Sequence, residues 1–217
     1  MKGLILKDLI NLKKNVKIFA ILALLYGFMA FTTTDASFFS SMFTMLIALL
    51  TLSVYSYDEL AKWDVYALTL PVSREDIVRG KYIIMLMLTV IGAVIGTVST
   101  AVIKMIQHDN YFIAGLKNSL LGGAVVILFY CIALPFITKL GVEKARFIFF
   151  AIYLIPFAII YFIGNAVKAG DFVIPEQFYR IAEKLVRNIA ILGPLVLLFA
   201  LVVSYTISVG VYRKKEF

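Results

Sequence analysis

Side chains capable of chemistry concentrate in one polar stretch of this sequence, Tyr57–Lys81, which reads YDELAKWDVYALTLPVSREDIVRGK. Asp58, Glu59, Asp64, Glu75 and Asp76 are interspersed with Lys62, Arg74, Arg79 and Lys81, around the single tryptophan, Trp63. A tryptophan flanked by charge suits a docking anchor at a protein interface. It equally suits the aromatic belt at a membrane surface. Composition leaves both readings of Trp63 open.

The remaining reactive types are scattered and lack partners for catalysis. Gly80-Lys81 has neither the upstream glycine nor the following hydroxyl of a phosphate-cradling loop. The single histidine, His108, sits beside Asp109 in a short connection, and no H-E-x-x-H occurs. Cys131, the one cysteine, lies in an apolar run and reads as a small filler. Serines and threonines are plentiful there too, but no histidine accompanies them to activate one, which argues against an intramembrane hydrolase.

The elements that must position these residues are set by composition. The 217 residues are 62% hydrophobic and 16% charged, with a mean hydropathy of +0.97. Soluble domains hold about 45–50% apolar and about 25% charged residues, so this is a polytopic membrane protein. Six apolar blocks run Val16–Thr34, Phe38–Ser56, Tyr82–Ile103, Leu116–Ile137, Phe147–Gly164 and Ile189–Tyr212. Each approaches the roughly 20 residues that a spanning helix needs. A cleaved signal peptide is disfavoured for the first block, which follows an amphipathic stretch and lacks a small-residue cleavage site.

An even number of spans puts both termini on one side, and charge decides which. With the termini inside, 15 of the 21 basic residues are cytoplasmic and 6 are outside. The positive-inside rule therefore puts both termini in the cytoplasm of a plasma-membrane protein. It also accounts for the net charge of +8 without nucleic acid. Lys17 and Lys117 lie near block ends, where they can snorkel to the headgroups.

Met1–Asn15 interleaves Ile5, Leu6, Leu9 and Leu12 with Lys7, Asp8, Lys13 and Lys14, the pattern of an interfacial helix with lysines on anionic headgroups. Within the polar stretch, Asp58–Leu68 can form a short helix with Leu60, Trp63 and Ala67 on one side. Pro71 stops it, and Ser73 with Asp76 resembles a capping box that restarts a helix. Between the last two blocks, residues 165–188 hold an outer amphipathic helix. Its face is Phe178, Ile181, Ala182 and Leu185, and Pro175 sits at its first position.

Span interiors carry no acid, and their polar groups are mild hydroxyls. Gly92-x-x-x-Gly96 offers a small face for helix packing. Ion-coupled carriers keep charge within the bilayer, so a pump built on this chain must take its energy from another polypeptide.

The run Tyr57-Asp58-Glu59, Trp63-Asp64, Leu70-Pro71-Val72-Ser73-Arg74, Ile77-Val78 and Gly80-Lys81-Tyr82 resembles the loop between spans two and three of small ABC-2 type exporter permeases. The likeness extends over residues 1–217 as one transmembrane permease domain, nearest to the permeases of phenol-soluble modulin and bacitracin-type peptide exporters. It implies an all-α polytopic fold of six transmembrane helices, with an N-terminal interfacial elbow helix over 1–15 and a cytoplasmic coupling helix within 57–81. It further implies two permease chains, a homodimer, above two separate ATPase subunits that hold ATP and Mg, with no cofactor in this chain. Carried onto this sequence, the ATPase contacts are Asp58, Glu59, Trp63, Asp64, Leu70, Pro71 and Arg74. The expected function is an ATP-driven exporter subunit for amphipathic or antimicrobial-type peptides or other hydrophobic compounds. The alternative is a non-transporting scaffold or sensor that recruits a soluble partner through the same loop.

Overall fold

The computed structural model describes residues 2–32, 37–106, 112–169 and 187–215, with single positions between 175 and 184. Among the described residues the regular structure is helical throughout. The order is α1 (Lys2–Leu12), a 3-10 turn (Lys13–Asn15), α2 (Val16–Thr32), α3 (Ser37–Ala48), α4 (Leu50–Leu60), α5 (Trp63–Ala67), α6 (Arg74–Ile106), α7 (Phe112–Leu140), α8 (Val142–Ala169) and α9 (Ile189–Arg213). In hydrocarbon every backbone N–H and C=O must be satisfied within its own segment, which is why the apolar blocks resolve into helices.

Four described runs are long and apolar enough to cross a bilayer: Phe38–Leu60, Arg74–Ile106, Gly115–Leu140 and Ile191–Arg213. They coincide with the second, third, fourth and sixth apolar blocks. The first block falls on α2, whose apolar stretch Lys17–Met29 is shorter, and the fifth on the 28-residue α8. α3 and α4 form one run interrupted only at Leu49, whose N–H still reaches the Met45 carbonyl at 3.0 Å. α6, with 33 residues, is about 50 Å long and outreaches the ~30 Å hydrocarbon core, so it carries its polar start into the interface. Beyond Ala169 the outer helix expected over 165–188 lies largely outside the described residues. So do its face residues Phe178, Ile181, Ala182 and Leu185, and so does His108.

The centre of the bundle is α3, α6 and α7, with α9 against α6 and α7. Tyr130, Met85, Leu134 and Ile137 are fully buried where these helices meet, and Ile84 is buried against α1 and α4. Small residues set the spacing. A Cβ added at Gly96 would lie 2.5 Å from the Ser40 carbonyl oxygen, and one at Gly92 would lie 3.0 Å from the Thr44 backbone. α6 therefore packs backbone to backbone against α3 across these two glycines. Hydroxyls fill the same seam: Ser40 donates to the Gly115 carbonyl at 2.8 Å and meets Ser119, which also takes Thr97 at 3.0 Å. On the other side of α6, Tyr82 reaches Ser204 and Ser208 of α9 at 2.6 and 2.9 Å.

One local expectation is corrected. The continuous helix read over Asp58–Leu68 is broken, because Lys62 adopts φ 49°, a left-handed conformation that ends α4 and starts α5 in a new direction. Leu60 and Ala67 therefore do not share a face: Leu60 is 81% exposed and Ala67 is fully buried. The break has a physical source. Asp58 and Glu59 are held by other elements, so the last turn of α4 is committed to the bundle and the chain must turn to lay α5 across its end.

Candidate functional site

The stretch that held the chemistry in the sequence folds into a structured cap over one end of the bundle. Its local frame is α4, the left-handed Lys62, α5, and a tight link into α6. The link turns at Pro71, where the Val72 N–H bonds the Leu70 carbonyl at 2.7 Å. Ser73 then caps α6: its hydroxyl accepts the Asp76 N–H at 3.1 Å and donates to the Asp76 carboxylate at 2.8 Å. Half of the expected box forms, with the carboxylate closing on the hydroxyl and not on the cap residue's N–H.

Under this cap lies a four-member charge cluster. Lys7 Nζ is 2.7 Å from Asp58 and 2.8 Å from Asp8, and Lys81 pairs with Asp58 and lies 3.5 Å from Asp8. The side chains of Asp8, Asp58 and Lys81 are each at most 8% exposed. Two lysines and two aspartates balance, which is what lets them be buried together. Lys7 also sits 4.2 Å above the Trp63 ring, and Lys81 5.1 Å from the Tyr55 ring. The cluster thus ties α1 to the end of α4, the start of α6 and the first residue of α5. Lys7, read from sequence as a headgroup contact, points into the protein; the apolar face of α1 that stays outward is Leu6, Leu9 and Ile10.

A second tie runs to α8. The Glu59 carboxylate accepts the Val142 N–H at 2.6 Å. It meets the helix where backbone donors are unpaired and the dipole favours an anion. Gly141 makes room: its φ is +80°, and a Cβ there would stand 2.5 Å from Glu59 Oε1.

A third tie runs to the end of α9. Arg74 Nη1 donates to the carbonyls of Arg213, Lys215 and Tyr212 at 2.5, 3.2 and 3.4 Å. These are the unsatisfied acceptors of a helix C-terminus, and a guanidinium is suited to them in both charge and geometry. Tyr212 donates to Asp64 at 3.1 Å, Lys215 lies 3.6 Å from the same carboxylate, and Arg213 pairs with Glu75. Between these ties is a cavity of about 200 Å³, with Asp58, Glu59, Asp64, Lys81, Tyr212 and Lys215 among its lining residues.

The seven residues singled out from sequence therefore separate by environment. Asp58, Glu59, Asp64 and Arg74 all bond to other elements of this chain. Trp63 is half-buried beneath Lys7, Leu70 is half-buried, and Pro71 is exposed. The outward apolar surface beside them is Leu60, Val65, Tyr66 and Leu68, none of which was singled out. Nor were Lys7, Asp8, Lys81, Gly141, Tyr212 or Lys215, which complete the ties. Asp8 carried a signal, as the one acid in the first 34 residues, on a helix otherwise rich in lysine. Among the described residues no group of three or more His, Cys, Asp or Glu comes together to hold a metal.

The family model described as ABC-2 family transporter protein matches residues 3–213. No curated protein and no solved structure matches the chain. The match covers nearly the whole chain, from α1 to the last residue of α9, and so includes the cap and its ties except for Lys215. Together with the long apolar helices it makes this a multi-pass membrane protein, a transport component that belongs to the ABC-2 transporter family.

Proposed function

We propose that the chain is the permease subunit of an ATP-driven exporter, paired with a second copy of itself above two separate ATPase subunits that hold ATP and Mg. In this reading α2 and α8 complete six spans, both termini lie in the cytoplasm of the plasma membrane, and α1 is the elbow helix on the inner surface. The segment from Leu60 to Ser73 is the coupling element. Its outward surface (Leu60, Val65, Tyr66, Leu68 and Pro71) seats on the ATPase. Asp58, Glu59, Trp63, Asp64 and Arg74 serve by holding that surface to the bundle. The cargo is an amphipathic peptide or another hydrophobic compound, in keeping with the hydroxyl-lined seam between α3, α6 and α7.

The observation that carries this reading is the wiring of the cap. The segments that flank the short helix α5 are tied at both ends: Asp58 of α4 through charge to α1 and α6, Glu59 of α4 through a helix cap to α8, and Arg74 of α6 to the end of α9. α5 itself meets α1 through Trp63 and the end of α9 through Asp64. A push on α5 would reach α1 and α9 through Trp63 and Asp64, and α6 and α8 through the adjoining end of α4. A loop that merely reconnected two spans would not require such ties.

The test is reconstitution of the chain with its cognate ATPase in proteoliposomes. The reading expects a stable complex, ATP turnover stimulated by cargo, and ATP-dependent flux. A stable complex with neither stimulation nor flux would favour the scaffold role. Flux driven by an ion gradient without ATP would sink both.

A further inference from the structure

A groove of about 500 Å³ opens between α1, α2, α3 and α6, lined on α1 by Leu9 and Leu12, next to and one turn after Asp8 of the charge cluster. Its walls are apolar: Leu12, Phe43, Leu50 and Leu88 are buried at its base. Ala20 and Ala23 keep the α2 wall open, because their side chains are too small to fill it. The single titratable side chain in the lining is Lys13, in the 3-10 turn that joins α1 to α2. The groove therefore has a cationic mouth at the membrane surface and an apolar shaft leading inward.

Its length matches one leaflet. Along α3 and α4 it runs from Leu50 to Phe43, and along α6 from Leu88 to Ile95. Seven residues of helix is about 10 Å, which reaches from the interface most of the way to the middle of a ~30 Å hydrocarbon core. A shaft of this depth beneath a lysine has the shape and charge of a phospholipid with one acyl chain inserted and its phosphate at the mouth.

We infer that this groove is a binding site for an anionic phospholipid of the leaflet on which α1 lies, with Lys13 holding the headgroup phosphate and an acyl chain lying between α2 and α6. The bound lipid completes the packing of α2, which otherwise meets the bundle along few positions, and seats α1 against it. Because α1 also carries Lys7 and Asp8, occupancy of the groove bears on the charge cluster beneath the coupling cap. The inference rests on the permease reading for which face is cytoplasmic, but not for the existence of the site.

The test uses the full chain, incorporated into vesicles of equal parts phosphatidylglycerol and phosphatidylcholine. Native mass spectrometry then reads the lipids that leave with it. The wild type is expected to retain phosphatidylglycerol preferentially. Lys13→Gln should reduce that preference about fivefold, the factor that one juxtamembrane lysine contributes. Lys14→Gln, which removes the same charge one residue away and outside the lining, should leave it unchanged. Ala23→Phe should fill the shaft and lower retention of either lipid. Equal effects of Lys13→Gln and Lys14→Gln, or retention of both lipids alike by the wild type, would overturn the site. So would disulfide cross-linking of two Ala20→Cys copies through the groove, which would make it an interface between permeases. No ATPase enters this measurement, so failure of the transporter reading would leave the lipid result standing. Labelling of a thiol placed at Gly3 in a Cys131→Ser background reports separately which leaflet α1 occupies.

Discussion

Asp58 is the residue on which most of the cap depends. It takes both Lys7 and Lys81 with its own side chain only 8% exposed, and its loss would leave two ammonium groups sharing Asp8. Stranding a buried charge costs on the order of 3 kcal/mol, so Asp58→Asn is expected to lower the melting temperature in detergent by several degrees. A Lys7→Met, Asp58→Leu double change that leaves Lys81 with Asp8 should cost less than the single change. A second sensitive point is Gly141, at φ +80° with Glu59 against it. Gly141→Ala should cost about 1–2 kcal/mol from the left-handed backbone alone, and more from the displaced carboxylate. Gly27→Ala, where nothing lies within 4 Å, is the neutral control. The family resemblance assigned Asp58, Glu59 and Asp64 outward, to the ATPase, whereas Asp76 was legible as a helix cap. Mixed charge on a short loop looks the same whether its partner is another protein or a distant lysine of its own chain. The Lys7–Asp58 pair is separated by 51 residues and Arg74–Arg213 by 139, distances at which no local pattern registers.

At the scale of elements, the long helices were legible because hydrocarbon demands them: blocks of apolar residues had to become helices, and their ends fell within five residues of the expected ones except at α6, which starts eight residues before Tyr82. The left-handed turn at Lys62 was not legible, since a lysine carries no preference for it and the tertiary ties impose it. Two consequences can be measured. Gly96→Val would drive a side chain into the Ser40 carbonyl and part α6 from α3. Thermal stability should fall by about 2 kcal/mol or more, and exchange of the amides along both helices should rise. Arg74→Ala would release the three carbonyls at the end of α9. Hydrogen exchange around 212–215 should quicken while the centre of α9 stays protected, because the tie is confined to its last turn. Unchanged exchange there would mean that Tyr212, Asp64 and Lys215 hold the end without Arg74.

For the whole molecule, the chain joins a bundle whose span interiors carry no acid to a structured cap at one end, and in the proposed function the energy source is a partner that seats on this cap. The exposed apolar residues of the cap, Leu60, Val65, Tyr66 and Leu68, are in the proposed function the ATPase seat. Truncating or charging the centre of an interface typically costs 2 kcal/mol or more. The most direct measurement is therefore the affinity of the reconstituted chain for its ATPase, with and without the pair Leu60→Asp and Tyr66→Asp, alongside the melting temperature of each permease. Both side chains are largely exposed, at 81% and 57%, so the permease itself should melt as the wild type does. The account predicts that affinity falls at least tenfold and that cargo-stimulated ATP turnover falls with it. Wild-type affinity and turnover in the double variant would contradict it.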